Sequence, residues 1–194
     1  MTAPATARPV LGRLRERVGA LAQLVVTPLV PADYVDLLDP LCSSSDLRGR
    51  IVEVRPETRD AVTLVIRPGR GWRPHVPGQY VRIGVDVDGV RQWRTYSLTS
   101  KVAHPDGCIA ITVKAIPGGK VSNHLVHRTE PGTIVQLDQA TGEFTLPEQA
   151  PDKALFVTAG SGITPVMGIL RNSAEQLTDT VLVHSAVPQN LTLT

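Results

Sequence analysis

The sequence predicts a small antiparallel β domain, a barrel or a sandwich, followed by the opening of a parallel α/β domain. Two observations carry this. Between residues 50 and 115 short alternating segments recur with turn residues between them. Beyond residue 153 a continuous apolar run is followed by a glycine turn, a helical pattern and a second apolar run, which is a βαβ unit.

The first nine residues are rich in Ala, Thr and Pro, a composition that favours disorder. Val10, Leu11, Leu14, Val18, Leu21 and Val25 then fall near helical spacing with arginines between them, so an amphipathic helix is expected there. Its role is to cover the β domain or to touch a membrane surface or membrane-bound partner. A second short helix is expected from Asp33 to Leu41, and Cys42 to Asp46 reads as a Ser-rich connection. Residues 1–48 are thus a helical extension.

The β domain is placed at residues 49–150. Its expected strands are Arg50–Arg55, Ala61–Arg67, Gln79–Val87, Val90–Ser97 and Ile109–Ala115, with a hairpin at Asp88-Gly89. After Gly118-Gly119 the period changes, and Val121, Leu125 and Val126 suggest one short helix before strands at Thr133–Leu137 and Glu143–Leu146. The polar stretch Pro147–Lys153 reads as a linker. The strand Ala154–Thr158, a helix from Pro165 to Gln176 and the strand Val181–Val183 complete the pattern within residues 151–194.

Composition excludes several functions. The net charge of +2 over 194 residues is too small for a nucleic-acid surface. Cys42 and Cys108 have no second thiol or His at ligand spacing, so no zinc or iron–sulfur site is expected in this chain, and reduced thiols in the cytoplasm are the simpler reading than one disulfide. The apolar stretch Val18–Val30 is interrupted by Gln23 and Pro28 and falls short of the roughly 20 residues of a membrane span. His75, His104, His124, His127 and His184 form no ligand set and are read as structural.

Three segments carry chemistry. Arg94-Thr95-Tyr96-Ser97 combines a cationic fork, a flat aromatic ring and a hydroxyl on one strand, which suits a flavin: Arg for a pyrophosphate, Tyr for the ring and Ser for its N5. The same run also occurs on ordinary exposed strands. Gly118-Gly119-Lys120-Val121-Ser122 opens a helix, where backbone N–H groups and Ser122 suit a phosphate, or where Ser122 or Asn123 is a helix cap. Gly160-Ser161-Gly162-Ile163-Thr164-Pro165 follows a buried strand and opens a helix, the setting of a dinucleotide turn.

In this order, and with Pro77-Gly78-Gln79-Tyr80-Val81 ahead of them, the segments resemble the ferredoxin–NADP reductase superfamily over residues 49–186. The resemblance implies a Greek-key flavin barrel holding FAD, with FMN as the alternative flavin, and a following NAD(P)-binding domain. It implies that Arg94 binds the pyrophosphate, Tyr96 covers the ring and Ser97 addresses N5, the last two being the catalytic pair. Gly119, Lys120, Val121 and Ser122 would hold the phosphates, and Val113 and Lys114 would meet the pyrimidine edge. Gly160, Gly162 and Thr164 would lie between flavin and nicotinamide. Hydride would pass from NAD(P)H to the flavin, and electrons would leave singly to a ferredoxin, an iron–sulfur domain, an oxygenase or a membrane desaturase. The alternative is a flavin-binding fragment or regulatory module without catalysis.

The family's later strands and its Cys-Gly-Pro-like element do not occur in the sequence, so 151–194 is expected to be an incomplete nucleotide domain. In many relatives a [2Fe–2S] domain follows. His184 to Asn190 contains no Arg or Lys for a 2′-phosphate, which points away from NADP. A cytoplasmic protein is expected, with its N-terminal helix as a candidate peripheral membrane contact.

Overall fold

The computed structural model describes residues 39–42 and 46–186. The N-terminal amphipathic helix and most of the Asp33–Leu41 helix lie outside the described residues, as does most of the Ser-rich connection. Within the described part, Pro40–Cys42 form a single 3-10 turn.

Six antiparallel strands follow: β1 (Arg48–Thr58), β2 (Ala61–Pro68), β3 (Tyr80–Val87), β4 (Val90–Ser97), β5 (Ile109–Lys114) and β6 (Ile134–Leu137). A helix, α1 (Lys120–His127), lies between β5 and β6. The sheet order β4-β3-β6-β1-β2-β5 puts β4 and β5 at its two margins, and an antiparallel bridge between Leu98 and Ile111 joins those margins. The sheet therefore curls into a barrel, which decides between barrel and sandwich. The Asp88-Gly89 hairpin has positive φ at both residues, 52° and 77°, as a tight two-residue turn requires.

Alternation fills the barrel. Val62, Leu64 and Ile66 of β2, Val81, Ile83 and Val85 of β3, and Ile109, Ile111 and Val113 of β5 all enter one core with Ile51, Leu98 and Val135. Val121 and Leu125, one helical turn apart on α1, add to it and fasten the helix to the barrel.

Two expectations change here. Glu143–Leu146 forms no strand: Thr141 makes one bridge to Tyr80, and then Gly142 at φ 123° and a Thr145 N–H bond to the Glu143 carbonyl coil the backbone. On the partner side β3 begins only at Tyr80, and Gly78 at φ 97° turns the backbone away from an extended pairing. The first strand is also longer than its pattern suggested, because register shifts between Ile51 and Glu53 and between Pro56 and Thr58 break the alternation without breaking the ladder.

The second unit consists of β7 (Lys153–Ala159), a 3-10 turn at Gly160–Gly162, α2 (Ile163–Ser173) and β8 (Asp179–Ser185). β7 and β8 pair in parallel from Lys153↔Asp179 to Ala159↔Ser185, as the βαβ pattern requires. α2 begins two residues before Pro165 and ends three before Gln176. Pro165 is tolerated because it falls in the first turn, where its missing N–H would have no helical partner.

Candidate flavin and nucleotide site

The three segments come together in space. Arg94, Thr95, Tyr96 and Ser97 at the end of β4, Gly119 to Ser122 at the start of α1, and Ser161, Gly162, Thr164 and Pro165 at the start of α2 line one cavity of about 660 Å³. That size is within the range of small-molecule and cofactor sites. Arg94, Lys114 and Lys120 bring three cations to its wall, and no carboxylate lies among its lining residues. Such a wall suits a pyrophosphate.

Each side chain is placed by the fold. Ser97 is opposite Tyr80 and Tyr96 opposite Val81 in the β3–β4 ladder, so the β4 end is held against the barrel. Tyr96 packs on the core, and burial pushes its phenol above the ordinary value, so the ring stays neutral. One Arg94 N–H donates to the Trp93 carbonyl at 2.7 Å; a guanidinium has five such donors. Lys114 is 3.4 Å from the Asp60 carboxylate.

Gly119 is the N-cap residue of α1, and neither Ser122 nor Asn123 caps the helix by a side-chain bond. The Ser122 hydroxyl donates to the Gly119 carbonyl at 3.3 Å and accepts from the Ile116 N–H at 3.3 Å, while Asn123 Nδ2 donates to the Ile116 and Gly119 carbonyls at 2.8 and 2.7 Å. These bonds hold the turn shut on itself. A Cβ on Gly119 would strike Ser122 Oγ and Ile116 Cγ1, so the turn needs glycine there.

Two expected residues stand apart from this cavity. Val113 is fully buried in the barrel, where its side chain serves the core. Gly160 lines a second cavity of about 580 Å³, together with Ala61, Thr63, Met167 and His184. The two cavities share Thr112, Lys114, Ser161 and Thr164 as a common wall. Thr95, Ser161 and Pro165, which the segments contain without a role of their own, also line the first cavity, as do Thr112 and Ile116, which the sequence did not single out. Thr112 had a signal: it is two residues from Lys114 and so on the same face of β5.

Among the described residues there is no cluster that could hold a metal ion, Cys108 is a buried thiol while the Cys42 thiol donates to Asp39 Oδ2 at 3.4 Å, and no helix is long and apolar enough to cross a membrane.

Residues 74–146 match the model of the oxidoreductase FAD-binding domain. The chain belongs to the ferredoxin–NADP reductase superfamily. It is 51% identical over 171 residues to an NADPH oxidoreductase of Mycobacterium tuberculosis, which covers 86% of this chain and 45% of that protein. It is 37% identical over 112 residues to a glycine betaine monooxygenase reductase subunit of Pseudomonas aeruginosa, covering 57% of this chain and 30% of that one. The chain thus spans less than half the length of either. Among solved structures, a ferredoxin NADP⁺ reductase from Neisseria gonorrhoeae with bound FAD and NADP superposes with a TM-score of 0.64 at 26% identity, over 75% of this chain and 60% of that one.

The residues present fit FAD. A flat half-buried aromatic, a tri-cationic wall and a glycine turn with no side chain in the way meet in one cavity of suitable size.

Proposed function

We propose that this chain is the flavin-bearing part of an NAD(P)H-dependent reductase that delivers electrons to a ferredoxin, an iron–sulfur domain or an oxygenase or desaturase. The observation that carries the reading is the shared wall of the two cavities: the one lined by Arg94, Tyr96 and Ser97 adjoins the one lined by the glycine turn at Gly160. The M. tuberculosis relative supports NADPH as donor, and the P. aeruginosa relative supports an oxygenase as acceptor.

Bound FAD supplies the redox chemistry, accepting two electrons as hydride and releasing them singly. The protein supplies the rest. Arg94 and Lys120 hold the phosphates by charge-assisted bonds, with Gly119 and Val121 offering backbone and Ser122 closing the turn. Tyr96 shields one side of the ring, and Ser97 gives a hydroxyl at N5. Val113 and Lys114 offer backbone at the pyrimidine edge. Gly160, Gly162 and Thr164 receive the nicotinamide nucleotide across from them and keep water from the gap between the two. The division into a flavin domain at 49–150 and a nucleotide unit from 151 follows the change from antiparallel to parallel pairing.

The test is anaerobic mixing of FAD-loaded protein with NADH and separately with NADPH, following the flavin band. Bleaching faster than that of free FAD is expected with at least one of them, and the faster donor settles the conflict between the M. tuberculosis relative and the lack of basic residues from His184 to Asn190. Flavin that is retained but bleached by neither leaves a flavin-binding module without reductase activity.

A further inference from the structure

The strand that carries Arg94, Tyr96 and Ser97 does not end in free loop. Directly after it, Leu98 donates its N–H to the Gln79 carbonyl at 2.9 Å, and Thr99 donates to the Ala110 carbonyl at 2.8 Å. Leu98, Thr99 and Ser100 are all buried, so this segment moves only with the barrel.

Its other side is read by a single face of α2. Gly168, Arg171 and Asn172 are spaced i, i+3, i+4 and so point the same way. A Cβ on Gly168 would strike the Leu98 carbonyl oxygen, which shows how closely the helix approaches. Arg171 donates to the Thr99 carbonyl at 2.7 Å. Asn172 Oδ1 accepts from the Val102 N–H at 2.8 Å, and its Nδ2 donates to the Ser100 carbonyl at 3.0 Å and to the Gly168 carbonyl at 2.8 Å. Both ends of one amide are therefore committed, between two units about 70 residues apart in sequence.

Val166 and Ile169 bury apolar surface beside this seam, and that surface favours contact without fixing an angle. Hydrogen bonds are directional and do fix it. We propose that Asn172, on the close approach that Gly168 permits, is a positioning residue that sets the gap between the flavin-facing end of β4 and the nucleotide turn. Asn172 lies eight residues beyond Thr164, about 12 Å along a rigid helix, so a small rotation at the seam displaces the turn at the helix start. The proposal rests on the reductase reading for its catalytic consequence, but the mechanical link does not.

The experiment uses FAD-loaded full chain, as parent, Asn172→Leu and Gly168→Ala. Asn172→Leu keeps the volume and removes the amide; Gly168→Ala keeps the amide and pushes the helix outward. For both, FAD affinity and dithionite reduction should stay at the parent level, while bleaching at saturating nicotinamide nucleotide falls by about tenfold to a hundredfold with KM changed far less. Hydrogen exchange, which needs no nucleotide, should quicken both at the Val102 amide and in residues 160–164. Unchanged exchange at 160–164 in both variants, or an unchanged rate at saturation, overturns the proposal. So does loss of FAD in step with rate, which would make the seam a matter of folding alone. If the parent is not bleached by either nucleotide, the reductase reading fails separately, and the exchange at 160–164 alone decides whether Asn172 positions the turn.

Discussion

Leu64 and Val157 are both aliphatic residues near the middle of a strand, yet Leu64 is fully buried and Val157 is 71% exposed. Leu64 belongs to a sheet that curls round until its margins meet, so every inward side chain has neighbours on all sides. Val157 belongs to a two-stranded parallel sheet whose one face carries Leu155, Val157, Val181 and Val183 exposed beside each other. The difference teaches where the stability of the described residues lies: the barrel is closed by its own strands, while the βαβ unit is ordered chiefly by α2 against the barrel.

The sharpest way to break this comparison is to remove the same kind of atoms from each region. Leu64→Ala should cost about 2–5 kcal/mol, because a fully packed site leaves a cavity. Val157→Ala should stay within about 0.5 kcal/mol, as for other exposed positions. Urea unfolding of both variants measures this, and equal losses would mean that the βαβ face is packed in solution.

Arg94→Ala should weaken FAD binding by about 1–3 kcal/mol, since a charge-assisted contact is lost. Flavin fluorescence titration reads it, and unchanged affinity removes Arg94 from the site. Ser97→Ala should leave flavin bound and slow its reduction by up to about tenfold, the worth of one hydrogen bond. If retention drops while the rate per bound flavin does not, Ser97 is a holding residue instead.

The smallest effect concerns pH. His75 is buried in the barrel's flank, its Nε2 has no hydrogen-bond partner, and burial pushes its pKa below the ordinary 6.5. The unfolded chain then binds a proton that the folded chain refuses. Stability is therefore full above about pH 6.5 and declines as pH falls from there toward the folded value. Urea unfolding at pH 7.5 and 5.5 should show a smaller drop for His75→Gln than for the parent. An identical drop would assign the pH dependence to other groups.

Much of this was legible in the residues. The hairpin at Asp88-Gly89 and the strands on either side of it were readable because alternation and turn chemistry agree there. The three segments that line one cavity stood out by their order along the chain and by falling where one element ends or another begins. Glu143–Leu146 misled because Phe144 and Leu146 alternate like a strand, yet Gly142 and Gly78 at positive φ bend both backbones away from an extended pairing there. The seam at Asn172 was invisible for another reason: an asparagine on a helix says nothing of which backbone, 70 residues away, it will bind.

Equilibrium titration of FAD into the flavin-free chain and into Gly119→Val tests the central claim most directly. The parent should take up one FAD and show the bands of bound flavin. The variant, whose new side chain must displace Ser122 and Ile116 from the turn, should bind at least about tenfold more weakly, the equivalent of 1.4 kcal/mol. A parent that stays colourless with added FAD, or a variant that binds as tightly as the parent, would contradict the assignment of this cavity to the flavin.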